Sequence, residues 1–324
     1  MLQRIRILTA LSCVVLCPVS AQAQAYPSKP ITIVVAYAAG GAADVMARAV
    51  AQRLTAAWGR PVLIENKAGA NSQIGAAYVA KSAPDGYTML ATADVTFAAN
   101  PYLYRTLPYD PVKDFAPVSG LGIINQALVV HPSAPFRNVA DLIAAAKAKP
   151  GDLSYASFGV GSAPQLSMEL LQAMTGTKLS AIQYRGGGPA LADVVAGHIP
   201  MTFISVGLMV QPWKAGQLRA LGVGSSERLA EFPELPTVAE TVPGLRATFW
   251  FGLFAPARTP KDIIQKMNTA VQGILAESRF REEFLAPNFY QPMIGTPEQL
   301  AGTIRSDADK WRKLISDAKL TAEE

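Results

Sequence analysis

The stretch that decides the fold is Ile31-Thr-Ile-Val-Val-Ala-Tyr-Ala-Ala-Gly40-Gly41-Ala-Ala-Asp44. Its first five residues are apolar and rich in β-branched side chains, which predicts a β-strand. Four apolar residues spaced by four then predict one buried face of a helix: Met46, Val50, Leu54 and Trp58. Between strand and helix, Gly40 and Gly41 allow a tight turn and a close approach of a ligand to the backbone. The free N–H groups at the helix start favour an anion in this turn, and an ordinary strand-to-helix connection is the alternative.

The same alternation continues along the chain as far as Asp94. Pro61–Glu65 and Tyr87–Ala91 are predicted strands, and a polar glycine loop and a helix lie between them. Short strand–helix–strand units predict a parallel sheet with right-handed crossovers. In such sheets, ligands gather beyond the carboxyl ends of the strands. Gly40–Gly41, Asn71–Ser72 and Thr92–Asp94 all fall at those ends.

The second half of the chain repeats the strand–turn–helix unit. It follows a proline- and aromatic-rich connection, Asn100–Phe115, which is predicted to be a packed surface loop. Leu153–Ser157 is a predicted strand, and the glycine turn Phe158–Ser162 leads from it into a helix with an apolar face. A third glycine turn, Arg185–Pro189, precedes a further helix. The remaining predicted elements are the strands Gln126–His131, Met201–Ser205, Leu218–Val223 and Thr248–Phe254, a helix from Lys261, and a helix capped at Thr296.

The N-terminal segment has the pattern of a secretory signal peptide. Arg4 and Arg6 precede an apolar run, Ile7–Val19, that is too short to cross a bilayer. Small-x-small cleavage sites follow at Ala21–Ala23 and Ala23–Ala25. We therefore expect residues 1–25 to be removed and the mature chain to be secreted.

Composition excludes several classes of protein. The two cysteines of the chain, Cys13 and Cys17, lie in the predicted signal peptide, so we expect no disulfide and no thiol chemistry in the mature chain. Removal of the signal peptide lowers the net charge from +5 to +3, because it contains Arg4 and Arg6 and no acidic residue. The remaining charge forms no basic tract, which argues against a nucleic-acid partner. No later apolar run reaches the roughly 18 residues of a membrane span, so we expect a soluble protein.

The sequence lacks the motifs of reaction chemistry. His131 and His198 have no second His or Cys at metal-ligand spacing, so we expect no metal site. There is no Gly-x-Ser-x-Gly elbow, Walker loop, Gly-x-Gly-x-x-Gly or Cys-x-x-Cys motif, and we expect no cofactor. Asp44 and Asp94 lack an acid–base partner, and Asp44 suits a cap or a first helical turn. Three glycine turns without reaction machinery favour a protein that binds an anion between two lobes over an enzyme.

Several specific motifs run through almost the whole mature chain. They are Tyr26-Pro-Ser-Lys-Pro-Ile-Thr-Ile-Val-Val, Gly40-Gly-Ala-Ala-Asp-Val-Met-Ala-Arg48, Glu65-Asn-Lys-Ala-Gly-Ala70, Ala83-Pro-Asp-Gly-Tyr-Thr88, Leu107-Pro-Tyr-Asp-Pro-Val-Lys-Asp-Phe-Ala-Pro-Val118, Tyr155-Ala-Ser157, Tyr184-Arg-Gly186, Pro236-Thr-Val-Ala-Glu240 and Phe254-Ala-Pro256. Together these motifs resemble the tripartite tricarboxylate transporter substrate-binding proteins, the TctC or Bug family of periplasmic receptors.

The resemblance implies an α/β fold with two lobes of type II periplasmic-binding-protein topology, mixed sheets flanked by helices and a two-strand hinge. Lobe 1 would comprise residues 26–126 and 249–324, and lobe 2 residues 127–248. It also implies a small carboxylate held by backbone N–H groups and ordered water, with closure of the lobes around it. The expected ligand-binding residues are Tyr37, Ala39, Gly40, Gly41, Asp44, Asn71, Ser72, Thr92, Asp94, Phe97, Ser157, Phe158, Gly161, Ser162 and Ser205.

Three departures from the family pattern bear on the ligand. Ala36 replaces a proline, Ile204 replaces an acidic residue, and Asp94 stands where small or hydroxyl side chains are usual. They favour a carboxylate with an apolar body and a donor group facing Asp94, such as an aromatic or other non-amino acid, over citrate. A dicarboxylate also fits the expected site.

The expected function is a periplasmic solute-binding protein that captures a small carboxylate. We expect it to be a monomer that delivers the ligand to the membrane subunits of a tripartite tricarboxylate transporter. A ligand-sensing receptor of the same fold that feeds a signalling partner is the alternative. A secreted hydrolase or lyase is disfavoured, because the sequence offers no pair of nucleophile and base.

Overall fold

The computed structural model describes residues 26–184 and 186–322. The predicted signal peptide and Arg185 lie outside the described residues. The strands are β1 Ile31–Val35, β2 Val62–Asn66, β3 Thr88–Ala93, β4 Phe115–Val130, β5 Ser154–Ser157, β6 Ser180–Gln183, β7 Met201–Ser205, β8 Arg219–Val223, β9 Thr248–Pro256 and β10 Tyr290–Pro292. The α-helices are α1 Ala42–Trp58, α2 Gln73–Ala80, α3 Val95–Ala98, α4 Asn100–Leu103, α5 Val139–Ala148, α6 Ala163–Thr175, α7 Gly187–Val195, α8 Val206–Lys214, α9 Lys261–Ala276, α10 Ser278–Phe280 and α11 Pro297–Asp317. A 3₁₀ turn spans Val238–Glu240, and a π-helical turn spans Arg281–Leu285.

The strands form two groups that share β4. The first group has the order β10-β4-β9-β3-β1-β2, in which β1 is parallel to β2 and β3 while β9 is antiparallel to β3 and β4. In the second group, β7 and β8 pair antiparallel with the C-terminal part of β4, and β5 and β6 form a separate parallel pair. We call the first group with its helices lobe 1 and the second group with its helices lobe 2. This is the mixed α/β architecture that the family resemblance implies.

The two lobes are connected through β4 and β9. β4 pairs with β9 as far as Asn125 and with β7 from Gln126 onwards. At the same level the Gln126 amide donates to the Ala247 carbonyl, just before β9 begins. This change of partner lies beside the expected lobe boundary at residue 126, although the exact lobe limits stay a prediction.

The strand β4 is longer than the sequence predicts. The prediction began at Gln126, whereas the strand begins at Phe115, and α4 occupies the start of the connection that was predicted as a loop. Gly120 and Gly122 hid the strand, because glycine has a low strand propensity. Close packing explains Gly120, where a Cβ would lie 2.5 Å from Met293 Cγ and 2.7 Å from the Met293 carbonyl oxygen. At Gly122 a Cβ would lie 2.6 Å from Met46 Cε, the flexible end of a side chain.

Helix faces predicted from apolar spacing form the core of lobe 1. Met46, Val50 and Leu54 of α1 are buried against the sheet, together with Met267 and Val271 of α9. Burial of each such side chain contributes roughly 1.5–3 kcal/mol. The capping box predicted at Thr296 is present, with reciprocal hydrogen bonds to Gln299 at the start of α11. Helix α8 was not predicted, since Gly207 and Pro212 both oppose a helix within nine residues.

Candidate functional site

The lobe 1 turn, Tyr37–Gly41, connects β1 to α1. Ala39, Gly40 and Gly41 are exposed at its tip. Gly40 has a φ of +79°, a left-handed conformation that favours glycine. Gly41 is extended, with φ −76° and ψ 167°, and serves as the N-cap of α1 without a side-chain cap. Of the two glycines, Gly40 is therefore the one that the backbone conformation requires.

Asp44 holds the lobe 1 turn in place. Its Oδ2 accepts hydrogen bonds from the Gly40 amide and from Arg48 Nε, each at 2.9 Å. Its Oδ1 accepts from Asn66 Nδ2 at 2.8 Å, and the same amide group donates to the Tyr37 carbonyl at 3.1 Å. Although burial opposes ionisation, the bonds from Arg48, Gly40 and Asn66 hold the pKa of Asp44 below its usual value. The Asp44 carboxylate therefore already accepts from the Gly40 N–H group, which the sequence predicted to be available to a ligand.

The loop before α2 has an unusual backbone. Ala70, Asn71 and Ser72 all have positive φ angles, of 45°, 47° and 75°. Three successive non-glycine residues in this region store strain, which is common at functional sites. The loop is held by Asn100, which exchanges two hydrogen bonds with Asn71, each at 2.8 Å.

A chain of buried hydroxyl groups lies behind the lobe 1 turn. Ser72 Oγ and Thr96 Oγ1 are 2.7 Å apart, and Thr96 Oγ1 and Thr92 Oγ1 are 2.6 Å apart. The Tyr37 hydroxyl is buried close to these groups. Burial raises the pKa of Tyr37 to about 12, and the nearby carboxyl of Asp94 adds to the effect. The predicted residues Tyr37, Ser72 and Thr92 are therefore brought together.

Asp94 and Phe97 are placed differently. Asp94 Oδ1 accepts from the Val95 amide at 2.9 Å, and the carboxyl is 2% exposed. Burial and the charge of Asp307 on α11 raise the pKa of Asp94 to about 8. Phe97 packs in the core of lobe 1, with its ring centroid 4.2 Å from that of Phe254. The structure groups Phe97 with core residues and not with the exposed lobe 1 turn.

The lobe 2 turn, Ser157–Ser162, connects β5 to α6. The Gly161 amide donates to Gln165 Oε1 at 2.7 Å, and Ser157 Oγ donates to the Gly159 carbonyl at 3.2 Å. Ser162 is the N-cap of α6, yet its hydroxyl makes no cap bond and is buried without a partner among the described residues. The third glycine turn is adjacent, since a Cβ on Gly187 would lie 3.0 Å from the Phe158 ring.

The two lobes meet directly at a seam. Asn71 Nδ2 of lobe 1 donates to the Gly161 carbonyl of lobe 2 at 3.4 Å. A Cβ on Gly161 would lie 2.6 Å from Leu103 Cδ1 and 2.9 Å from Asn71 Nδ2. At a second contact the rings of Phe232 and Phe289 are 5.3 Å apart. The structure therefore shows the lobes in contact, with the lobe 2 turn facing the Asn71 loop.

Gln126 was not predicted as a site residue. It is fully buried where β4 changes partner, and its side chain contacts the first turn of α6. Its neighbour across the β4–β7 ladder is Ser205, the last predicted site residue and the N-cap of α8. The signal that would have found Gln126 is a polar side chain inside an otherwise apolar strand.

Other features of the described residues do not add to this site. A cavity of about 320 Å³ lies at the far end of lobe 2, between His131, Phe136 and Lys149. No group of three His, Cys, Asp or Glu side chains within residues 26–184 and 186–322 could hold a metal ion. In the same ranges, no helix is both long enough and apolar enough to span a bilayer.

Two lobes joined by two strands, with the lobe 2 turn in contact with the Asn71 loop at the seam, form the architecture of a solute-binding protein. The chain belongs to the tripartite tricarboxylate transporter family receptors (TctC), whose family model matches residues 46–320. This is a family of substrate-binding receptors, so the predictions of the family and of a non-enzymatic protein are confirmed.

Individual relatives agree with this family. Protein BugT of Bordetella pertussis is 36% identical over 302 residues, which cover 93% of this chain and 92% of BugT. The solved structure of Rpa4515 from R. palustris with adipate has a TM-score of 0.84 at 33% identity, covering 91% of this chain and 99% of that protein. MatC from Rhodopseudomonas palustris with bound malate has a TM-score of 0.80 at 30% identity, covering 90% and 100%. The predicted two-lobed binding-protein fold is confirmed by these structures.

Proposed function

We propose that this chain is a periplasmic receptor that captures a small carboxylate between its two lobes and delivers it to the membrane subunits of a tripartite tricarboxylate transporter. The observation that carries the proposal is the seam, where the Asn71 loop of lobe 1 contacts Gly161 in the lobe 2 turn. Closure brings to the interior the N-terminus of α6, the Tyr37 hydroxyl, and the Ser162 hydroxyl, which has no partner among the described residues. Such groups suit a carboxylate, which accepts hydrogen bonds from both.

Relatives supply the ligand class to test first. One related structure holds adipate and another holds malate, both of them small dicarboxylates. We propose a ligand of similar size, bound by Tyr37, the lobe 1 turn, the Asn71 loop, Ser72, Thr92 and the lobe 2 turn. The protein acts as a monomer, because each chain contains both halves of the site.

Calorimetric titration of the mature chain with adipate, malate, citrate and aromatic acids tests the proposal. We expect at least one small carboxylate to bind with one site per chain, and the radius of gyration in small-angle scattering to fall on binding. Consumption of the ligand, or no binding of any acid in the panel, would contradict the proposal. Ligand binding without compaction would contradict closure of the lobes.

A further inference from the structure

Gln126 carries a buried hydrogen-bond acceptor that no donor among the described residues uses. Its Nε2 donates to Ser167 Oγ at 2.7 Å and to the Ala163 carbonyl at 3.4 Å. Because a carbonyl oxygen can only accept, the nitrogen must face Ala163, which fixes the orientation of the amide. The remaining atom, Oε1, is buried without a partner among the described residues. An unpaired buried oxygen costs free energy, which a hydrogen-bond donor from a bound ligand would recover.

Two serines are placed near Gln126 by the backbone. Ser162 immediately precedes Ala163, whose carbonyl Gln126 contacts, and its buried hydroxyl has no partner among the described residues. Ser205 stands directly opposite Gln126 in the β4–β7 ladder, so both side chains lie on the same face of the sheet. We call Gln126, Ser162 and Ser205 the hinge corner. It lies where the chain passes between the lobes and where α6 begins.

The hinge corner has two complementary requirements. The Ser162 hydroxyl and the positive N-terminus of α6 favour a carboxylate, which offers only acceptors. Gln126 Oε1 accepts only, so a carboxylate oxygen cannot satisfy it. One ligand meets both requirements when a donor group is bonded to the carbon next to its carboxylate. An ammonium group is disfavoured there by the positive helix terminus, whereas a neutral hydroxyl is not.

We propose that the hinge corner selects 2-hydroxycarboxylates, with the ligand hydroxyl donating to Gln126 Oε1 and the adjacent carboxylate accepting from Ser162. This inference rests on the proposed function, that a carboxylate binds between the lobes. It assigns Gln126 as a specificity-determining residue in direct contact with the ligand.

The test compares acids that differ only in the 2-hydroxyl group. Malate is titrated against succinate, and lactate against propionate, with aspartate as the 2-amino counterpart of malate. In the wild-type chain we expect the hydroxy acid of each pair to bind about 10-fold or more tightly, as one hydrogen bond to a buried acceptor provides. Aspartate should bind more weakly than malate.

Two variants locate the effect. Gln126→Met keeps the size of the side chain but removes the acceptor, so the preference for the hydroxyl should fall to less than about threefold. Gln172→Met is the matched control. Gln172 is a buried residue of α6 whose Nε2 has no partner among the described residues, and its Oε1 accepts from the Leu179 amide, away from the hinge corner. Its preference should equal that of the wild type.

The outcomes separate this inference from the proposed function. Equal binding of both members of each pair to the wild-type chain would overturn the inference and leave carboxylate binding intact. A preference that persists in Gln126→Met would overturn the assignment to Gln126. Binding of no acid at all would overturn the proposed function, and the inference with it. The wild-type comparison decides even if Gln126→Met fails to fold.

Discussion

In lobe 1 the Gly40 amide donates to the carboxylate of Asp44, four residues further on. In lobe 2 the Gly161 amide donates to the side-chain oxygen of Gln165, again four residues further on. Each glycine turn is therefore closed by a side chain from the helix that follows it. The difference is the charge: Asp44 is an ionised acid paired with Arg48, whereas Gln165 is neutral.

This difference assigns unequal roles to the two turns. A carboxylate ligand near the lobe 1 turn meets a fixed negative charge that Arg48 only partly offsets, because the Arg48 side chain is 52% exposed. The lobe 2 turn presents the N-terminus of α6 and a free hydroxyl with no opposing charge on Gln165. We infer that the lobe 2 turn holds the ligand carboxylate, while the lobe 1 turn closes over it.

The largest expected effect comes from blocking the seam. A methyl group at Gly161 would overlap the side chains of Leu103 and Asn71 across the lobes, and both would have to shift, so Gly161→Ala should disfavour closure. We expect carboxylate affinity to fall about 100-fold in calorimetric titration, because only molecules that close bind tightly. Gly176→Ala is the control, since Gly176 has a similar left-handed φ of +64° and open space around it. Equal affinities of the two variants would show that the seam is not needed.

The second prediction concerns a variant that gives the lobe 2 turn a negative charge equivalent to that of Asp44 in the lobe 1 turn. Gln165→Glu keeps an acceptor for the Gly161 amide but adds a negative charge beside the proposed carboxylate position. We expect affinity to fall about 10-fold through charge repulsion. Gln217→Glu adds the same charge at an exposed position far from the turn and should leave affinity unchanged. Unchanged affinity in Gln165→Glu would place the ligand carboxylate elsewhere.

The third prediction concerns the other buried carboxyl of lobe 1. The pKa of Asp94 is raised from 3.8 to about 8 by burial and by Asp307. Between these values the folded chain binds more protons than the unfolded chain, so this group lowers the free energy of unfolding as the pH rises. Asp94→Asn removes that effect.

Melting curves between pH 5 and pH 8 test the role of Asp94. The melting temperature of Asp94→Asn relative to wild type should rise with pH. Each kcal/mol of difference in the free energy of unfolding corresponds to about 2–4 °C. The Asp152→Asn variant, at a surface residue, is the control and should show no such trend. A melting-temperature difference between Asp94→Asn and wild type that stays constant from pH 5 to pH 8 would contradict a raised pKa of Asp94.

The smallest effect is expected where the lobe 1 charge is removed. Asp44→Asn retains one oxygen that can accept from Gly40, although its amide nitrogen cannot accept from Asn66 Nδ2, so the turn should keep the Gly40 bond and lose the Asn66 bond. We expect affinity to change by less than about threefold, because Arg48 already offsets part of the charge. A loss as large as that of Gln165→Glu would mean that the two turns play equal roles.

Local patterns in the sequence were enough to predict most of the fold. The strand β1, the helix α1 and the capping box at Thr296 follow from residues that are close in sequence. The glycine turns were also visible, because each lies between a strand and a helix. The structure confirms these elements, and the family accounts for the two lobes.

The partners of the site residues could not be predicted, because they depend on distant segments. Asp44 bonds Asn66, and Asn71 meets Gly161 at the seam. Gln126 acquires its role only when α6 packs on β4. That Asp94 faces a ligand donor stays a prediction, and the charge of Asp307 on α11, which the structure puts near it, could not be predicted. The spacing of apolar residues along the chain gives no information about such contacts between distant segments.

The most direct test of the account is a calorimetric titration of one small carboxylate into the wild-type chain and into Gly161→Ala, side by side. The account predicts one site per chain in the wild type and an affinity about 100-fold lower in the variant. Equal affinities in the two proteins would contradict a ligand enclosed between the lobe 1 and lobe 2 turns.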